Sequence, residues 1–132
     1  MHTKRIALAA TAVTAVGAAL VGTTAVANAA APATCEVTVD APAGSAHAFW
    51  VPVAVDCTGY AEVVLRTSLA GERSDGRRFS VPVGTFRVTG DGTLEQTGTL
   101  PFTGPVTAHA VVQVTVNGVP APSVESPDSD LS

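Results

Sequence analysis

Apolar and polar side chains alternate with a period of two through most of residues 34–119, and no stretch there repeats at the period of a helix. The clearest case is residues 48–57. Phe49, Val51, Val53, Val55 and Cys57 fall on one side of an extended chain, and Trp50, Pro52, Ala54 and Asp56 on the other. The same pattern predicts strands over residues 35–40, 60–67, 77–83, 85–89, 93–100 and 107–117. In the last of these Ala108, Ala110, Val112, Val114 and Val116 face inward. Gly and Pro divide the strands: residues 41–45 and Thr58-Gly59 read as turns, and Gly90-Asp91-Gly92 reads as a hairpin turn. Asn117-Gly118 is a further turn, and residues 68–76 read as an exposed charged loop. Pro52 and Pro82 lack the N–H that a ladder needs, so each marks an edge, a bulge or a break. Residues 120–132 are rich in Pro, Ser and Asp and read as a disordered acidic tail.

Short strands with closely spaced turns predict an all-β domain, a single small sandwich of about seven antiparallel strands, with a small barrel as the structural alternative. Its two cysteines fit one register. Pairing Cys35 with Cys57 sets Val37 opposite Val55 and Val39 opposite Val53, all on the buried face. A disulfide follows, either between neighbouring strands or between facing sheets. Closing this loop adds about 3 kcal/mol on the chain-entropy account.

The N-terminus is of another kind. Lys4 and Arg5 precede an Ala/Val-rich apolar run, and Ala27-Asn28-Ala29 supplies a small-x-small site. Residues 1–29 therefore read as a signal peptide that is removed, leaving no membrane span and a domain over residues 30–119. The exported chain is expected to be extracellular or loosely held at the cell wall. Leu100-Pro-Phe-Thr-Gly104 matches a sortase pentapeptide, but an amphipathic strand and an acidic end follow it, so no sorting signal is read.

Removing the leader changes the charge. Five arginines and no lysine then oppose eleven carboxylates, a net charge of about −6. No basic stripe is left for nucleic acid. Two histidines, His47 and His109, stand on separate strands or loops without a nucleophile motif, and no cofactor or metal motif is read.

Over most of residues 34–119 the chain resembles the immunoglobulin-like and fibronectin-like modules of secreted actinobacterial proteins. Its Ala-, Val-, Gly-, Pro- and Thr-rich composition shares that likeness. The resemblance implies an immunoglobulin-like sandwich and carries no functional residues. It departs from the antibody pattern at Cys35 and Cys57, which are too close in sequence for the usual inter-sheet bridge.

These readings favour a non-enzymatic binding protein whose partner is an extracellular protein or a cell-envelope component. Two contact sites are expected. Trp50, the one tryptophan, would serve as an aromatic platform for carbohydrate or cell-wall glycan. The segment with Arg73, Asp75, Arg77 and Arg78 would act as an exposed loop, like that of a protease inhibitor. A small hydrolase is disfavoured. Intact-mass analysis of exported protein should find a species beginning at or within two residues of Ala30. A membrane-extracted species starting at Met1 would overturn the leader assignment.

Overall fold

The computed structural model describes residues 13–16 and 33–132. The leader read into residues 1–29 lies outside the described residues, apart from the backbone of Val13–Val16. All regular structure among the described residues is strand. The strands are β1 (Val13–Val16), β2 (Thr34–Val39), β3 (Ala43–Gly44), β4 (Phe49–Cys57), β5 (Glu62–Arg73), β6 (Arg78–Thr89), β7 (Gly92–Gly98), β8 (Val106–Val116), β9 (Val119–Glu125) and β10 (Ser129–Leu131). They form two five-stranded antiparallel sheets. Sheet A runs β1-β2-β4, with β3 and β7 also on β4, and sheet B runs β10-β8-β5-β6, with β9 also on β8.

The alternation seen in the sequence is the burial pattern. Phe49, Val51, Val53 and Val55 of β4 face Val63, Leu65 and Leu69 of β5 and the even-numbered residues 106–116 of β8 within one apolar core. Cys35 pairs with Cys57, Val37 with Val55 and Val39 with Val53, so the disulfide joins neighbouring strands of sheet A. Both cysteines are consumed in it. Pro52 falls at a break. Its carbonyl accepts the Asp40 N–H at 3.0 Å, where β2 has ended and β3 has not begun, so the missing N–H interrupts no ladder. Asn117 and Gly118, at φ 50° and 83°, make the tight turn of the β8–β9 hairpin.

Four expectations need correction. Residues 68–76 are not a loop: β5 continues to Arg73, and only residues 74–77 turn. Gly71, inside that expected loop, is a strand residue crowded by β8; a Cβ there would lie 2.0 Å from the Thr107 carbonyl oxygen. The strands expected over residues 77–83 and 85–89 are one strand, β6, which starts at Arg78, with Val83 bulged out where Thr67 pairs with Gly84 and Ser68 with Pro82. Gly90-Asp91 is a crossing between sheets, since β6 pairs with β5 and β7 with β4. The crossing is tied by Gly90 N–H to the Ala61 carbonyl at 2.9 Å and by Cys57 N–H to Asp91 Oδ1 at 2.7 Å.

The largest departure is the C-terminus. Residues 120–132 are ordered as most of β9 and all of β10, which lie in tandem along β8. Val124 and Leu131 are buried in the core. Ser126 Oγ accepts the Ala110 N–H at 2.8 Å, Thr107 donates to Asp130 at 3.0 Å, and His109 Nδ1 stands 3.1 Å from Asp128. Pairing with an otherwise open edge supplies what the polar composition lacks. Leu131→Ala should therefore cost about 2–4 kcal/mol, read from urea midpoints at unchanged m-value. A variant as stable as the parent would mean that β10 contributes nothing to the folded state.

Candidate functional site

Burying one side of β4 commits its other side to solvent. Trp50, Pro52 and Ala54 therefore line up along the outer face of sheet A, each about 7 Å from the next. The register brings polar side chains to both flanks. On β7, Thr97 stands beside Trp50, Glu95 beside Pro52 and Thr93 beside Ala54. On the other flank Thr38 pairs with Ala54, and Asp40 lies across from Pro52. Small residues on the midline and longer ones at the sides leave a shallow groove of about 420 Å³, lined by Thr38, Asp40, Pro52, Ala54, Thr93 and Glu95.

Trp50 extends this floor. It is 39% exposed, the larger part of its surface being covered from below. Gly44 supplies that support: its φ of +100° and its bare Cα admit the indole, and a Cβ there would come within 2.9 Å of the ring. The indole is thus partly covered and partly open to solvent, and the Gly44 backbone limits where it can lie. The other strongly exposed aromatic, Tyr60, follows the far end of β4 and does not join it.

The charge of the molecule is divided between the sheets. Glu36, Asp40, Asp56 and Glu95 belong to the outer side of sheet A and its borders, where no arginine occurs among the described residues. Arg66, Arg73, Arg77, Arg78 and Arg87 all belong to β5, β6 and the turn between them. A ligand on the Trp50 face meets carboxylates and hydroxyls. An anionic ligand would be repelled there.

The arginine cluster expected at the β5–β6 turn is dispersed. Arg73 lies over the Phe102 ring, 4.5 Å from its centroid, and Phe102 in turn meets Phe79 edge-on at 5.1 Å. Arg73 is thus used in packing. Phe102 belongs to the pentapeptide 100–104, whose Leu100 is buried and donates its N–H to Ala46. Arg77 and Arg78 are exposed, and Arg78 stands opposite Glu72 in the ladder. Asp75 accepts the Arg77 N–H at 3.0 Å and faces its guanidinium at 3.8 Å. That backbone bond holds the Asp75 carboxyl below its ordinary value; desolvation opposes it, and the charges of Arg73 and Arg77 add to the lowering.

Two polar features have surroundings that the sequence does not show. His109 is enclosed by Asp128 at 3.1 Å and Glu125 at 3.9 Å, an arrangement that depends on the unforeseen strands β9 and β10. Gln96 and Thr67 are buried in the core without a hydrogen-bond partner among the described residues. Their inward position was legible from the alternation, but their isolation was not. No group of His, Cys, Asp and Glu among the described residues is arranged to hold a metal ion. No helix among the described residues is long and apolar enough to cross a membrane.

No family model matches the chain, and no curated protein matches it.

A titration of the Asp75 carboxyl by NMR should show its midpoint below that of an ordinary aspartate. The sign follows from the depressed value: the bond to Arg77 is fully present above the unfolded aspartate's pKa and is lost as pH falls through the folded one. Asp75→Asn should remove the titration and leave the fold intact, the residue being exposed. An unshifted midpoint would refute the turn geometry.

Proposed function

We propose that the chain is a secreted, non-enzymatic β-sandwich of immunoglobulin-like kind that binds a neutral or amine-bearing glycan of the cell envelope through the outer face of sheet A. The observation that carries this reading is the half-exposed Trp50 ring, continued by Pro52 and Ala54 between rows of threonines and carboxylates. The C–H face of a sugar ring stacks on an indole, while Thr38, Thr93, Thr97, Asp40 and Glu95 offer hydrogen-bond partners for its hydroxyls. A disulfide between Cys35 and Cys57 belongs to an oxidising compartment, which supports export.

A rigid inhibitory or receptor-binding loop is the second reading. A turn of only four residues, 74–77, with Arg73 already stacked on Phe102, leaves it less to work with. The same experiment separates the two. Trp50 is the only tryptophan, so its fluorescence reports the face directly. Titration with soluble cell-wall oligosaccharides should shift the emission, and sedimentation with insoluble cell-wall glycan should deplete the protein from solution. Trp50→Ala should weaken capture at least tenfold, about 1.4 kcal/mol, while the domain stays folded in the binding buffer at a somewhat lower urea midpoint, because part of the ring is covered. Arg77→Ala should bind as the parent does. Capture that survives Trp50→Ala and fails in Arg77→Ala would replace the glycan face with the turn.

A further inference from the structure

The lateral edges of the two sheets are not equally protected. In sheet B, β6 carries Pro82, the Val83 bulge and the outward Arg78 and Arg87. The tandem β9 and β10 present Pro120 and Pro122 or are only three residues long. On the far side of sheet A, the outer strand β7 carries the outward Glu95 and has a glycine at each end. Proline, bulges, charge and brevity are the usual defences against strand addition. β2 has the least of them: it is Thr-Cys-Glu-Val-Thr-Val, unbulged and without proline, and its one outward charge is Glu36.

Its backbone has groups to satisfy. The Thr34 carbonyl accepts from Thr58, and the Asp40 N–H donates to Pro52, so the even-numbered residues of β2 point toward β4. By the antiparallel alternation, Cys35, Val37 and Val39 turn their N–H and C=O groups the other way. That side is occupied by the backbone of β1, with Val13 opposite Val37 and Ala15 opposite Cys35. β1 also borders β9, bridging the lateral opening between the sheets. Yet β1 belongs to residues 1–29.

We propose that loss of the leader uncovers the edge of β2, and that the strand taking the place of β1 is β2 of a second copy of this chain, antiparallel and centred on Val37; this rests on residues 1–29 being removed. The strand is self-complementary in that register. Val37 meets its own copy and Cys35 meets Val39, so the apolar side stays continuous with the core face. On the outer side Glu36 meets Thr38, and Thr34 meets Asp40, so no like charges stand directly opposite. The Val37 pair and the two Cys35–Val39 pairs are hydrogen-bonded pairs in this register and satisfy every edge group that β1 satisfied. The product is a sheet continuous through two subunits, with the Trp50 faces of both on the same side.

Exported protein should be analysed by intact mass and by sedimentation equilibrium at micromolar concentration, together with three variants checked for folding by circular dichroism. The expected species lacks the leader and is a dimer. Thr38→Glu sets two glutamates against Glu36 of the partner and should weaken association roughly three- to tenfold. Thr38→Lys should strengthen it by a similar factor, and adding Glu36→Lys to Thr38→Glu should restore it. A leaderless monomer, or a dimer indifferent to these charges, would overturn the proposal while leaving the leader assignment standing. A species that keeps residues 1–29 would overturn both, and the mass spectrum tells which has failed. The charge-restored double variant keeps the test decisive where a single variant unfolds.

Discussion

The valine face of β4 is the constraint from which the rest follows. Phe49, Val51, Val53 and Val55 have to leave water together, which fixes the pleat of β4 and the registers of β2 and β7 on either side of it. A slip of one residue would bring Trp50 and Asp56 into the core and put the valines in solvent. The outer row of Trp50, Pro52 and Ala54 is the obligatory other side of the same decision. Outer row and core are coupled by geometry alone.

How much of this could be read from the chain depends on where the stabilising partner lies. The β2–β4 register was legible because both strands and both cysteines carry their own period-two signal, and the structure reproduces it residue for residue. Asn117-Gly118 was legible for the same reason, since two residues tolerant of positive φ define a tight turn locally. Residues 120–132 were not legible. Val124 and Leu131 are too few to signal a strand, and the pairing that orders them is provided by β8. Gly90-Asp91 shows another limit, because turn chemistry says where a chain reverses and not which sheet receives it. Trp50 was correctly placed on the outer face, but its support by Gly44 depends on a two-residue strand too short to carry any pattern.

Charge separates the two surfaces as cleanly as hydrophobicity separates inside from outside. The arginines of β5 and β6 find local partners, Arg87 on Glu62 at 3.1 Å and Arg73 on Phe102, so sheet B is close to self-neutralised. Among the described residues sheet A keeps its carboxylates without counter-charges. Such a face repels anionic polymers.

The in-sheet position of the disulfide has a mechanical consequence. A load applied between Cys35 and the far end of the chain cannot draw out residues 35–57, because the covalent link closes that segment into a loop. β2 therefore cannot be unzipped from β4 one hydrogen bond at a time, and the force passes instead to β5 and β8. At the other end the last strand is three residues long and is fastened by its short ladder to β8, one buried leucine and a few further hydrogen bonds. Pulled by its ends, the domain has one covalently locked terminus and one that peels, so extension starts from the C-terminal side and proceeds inward.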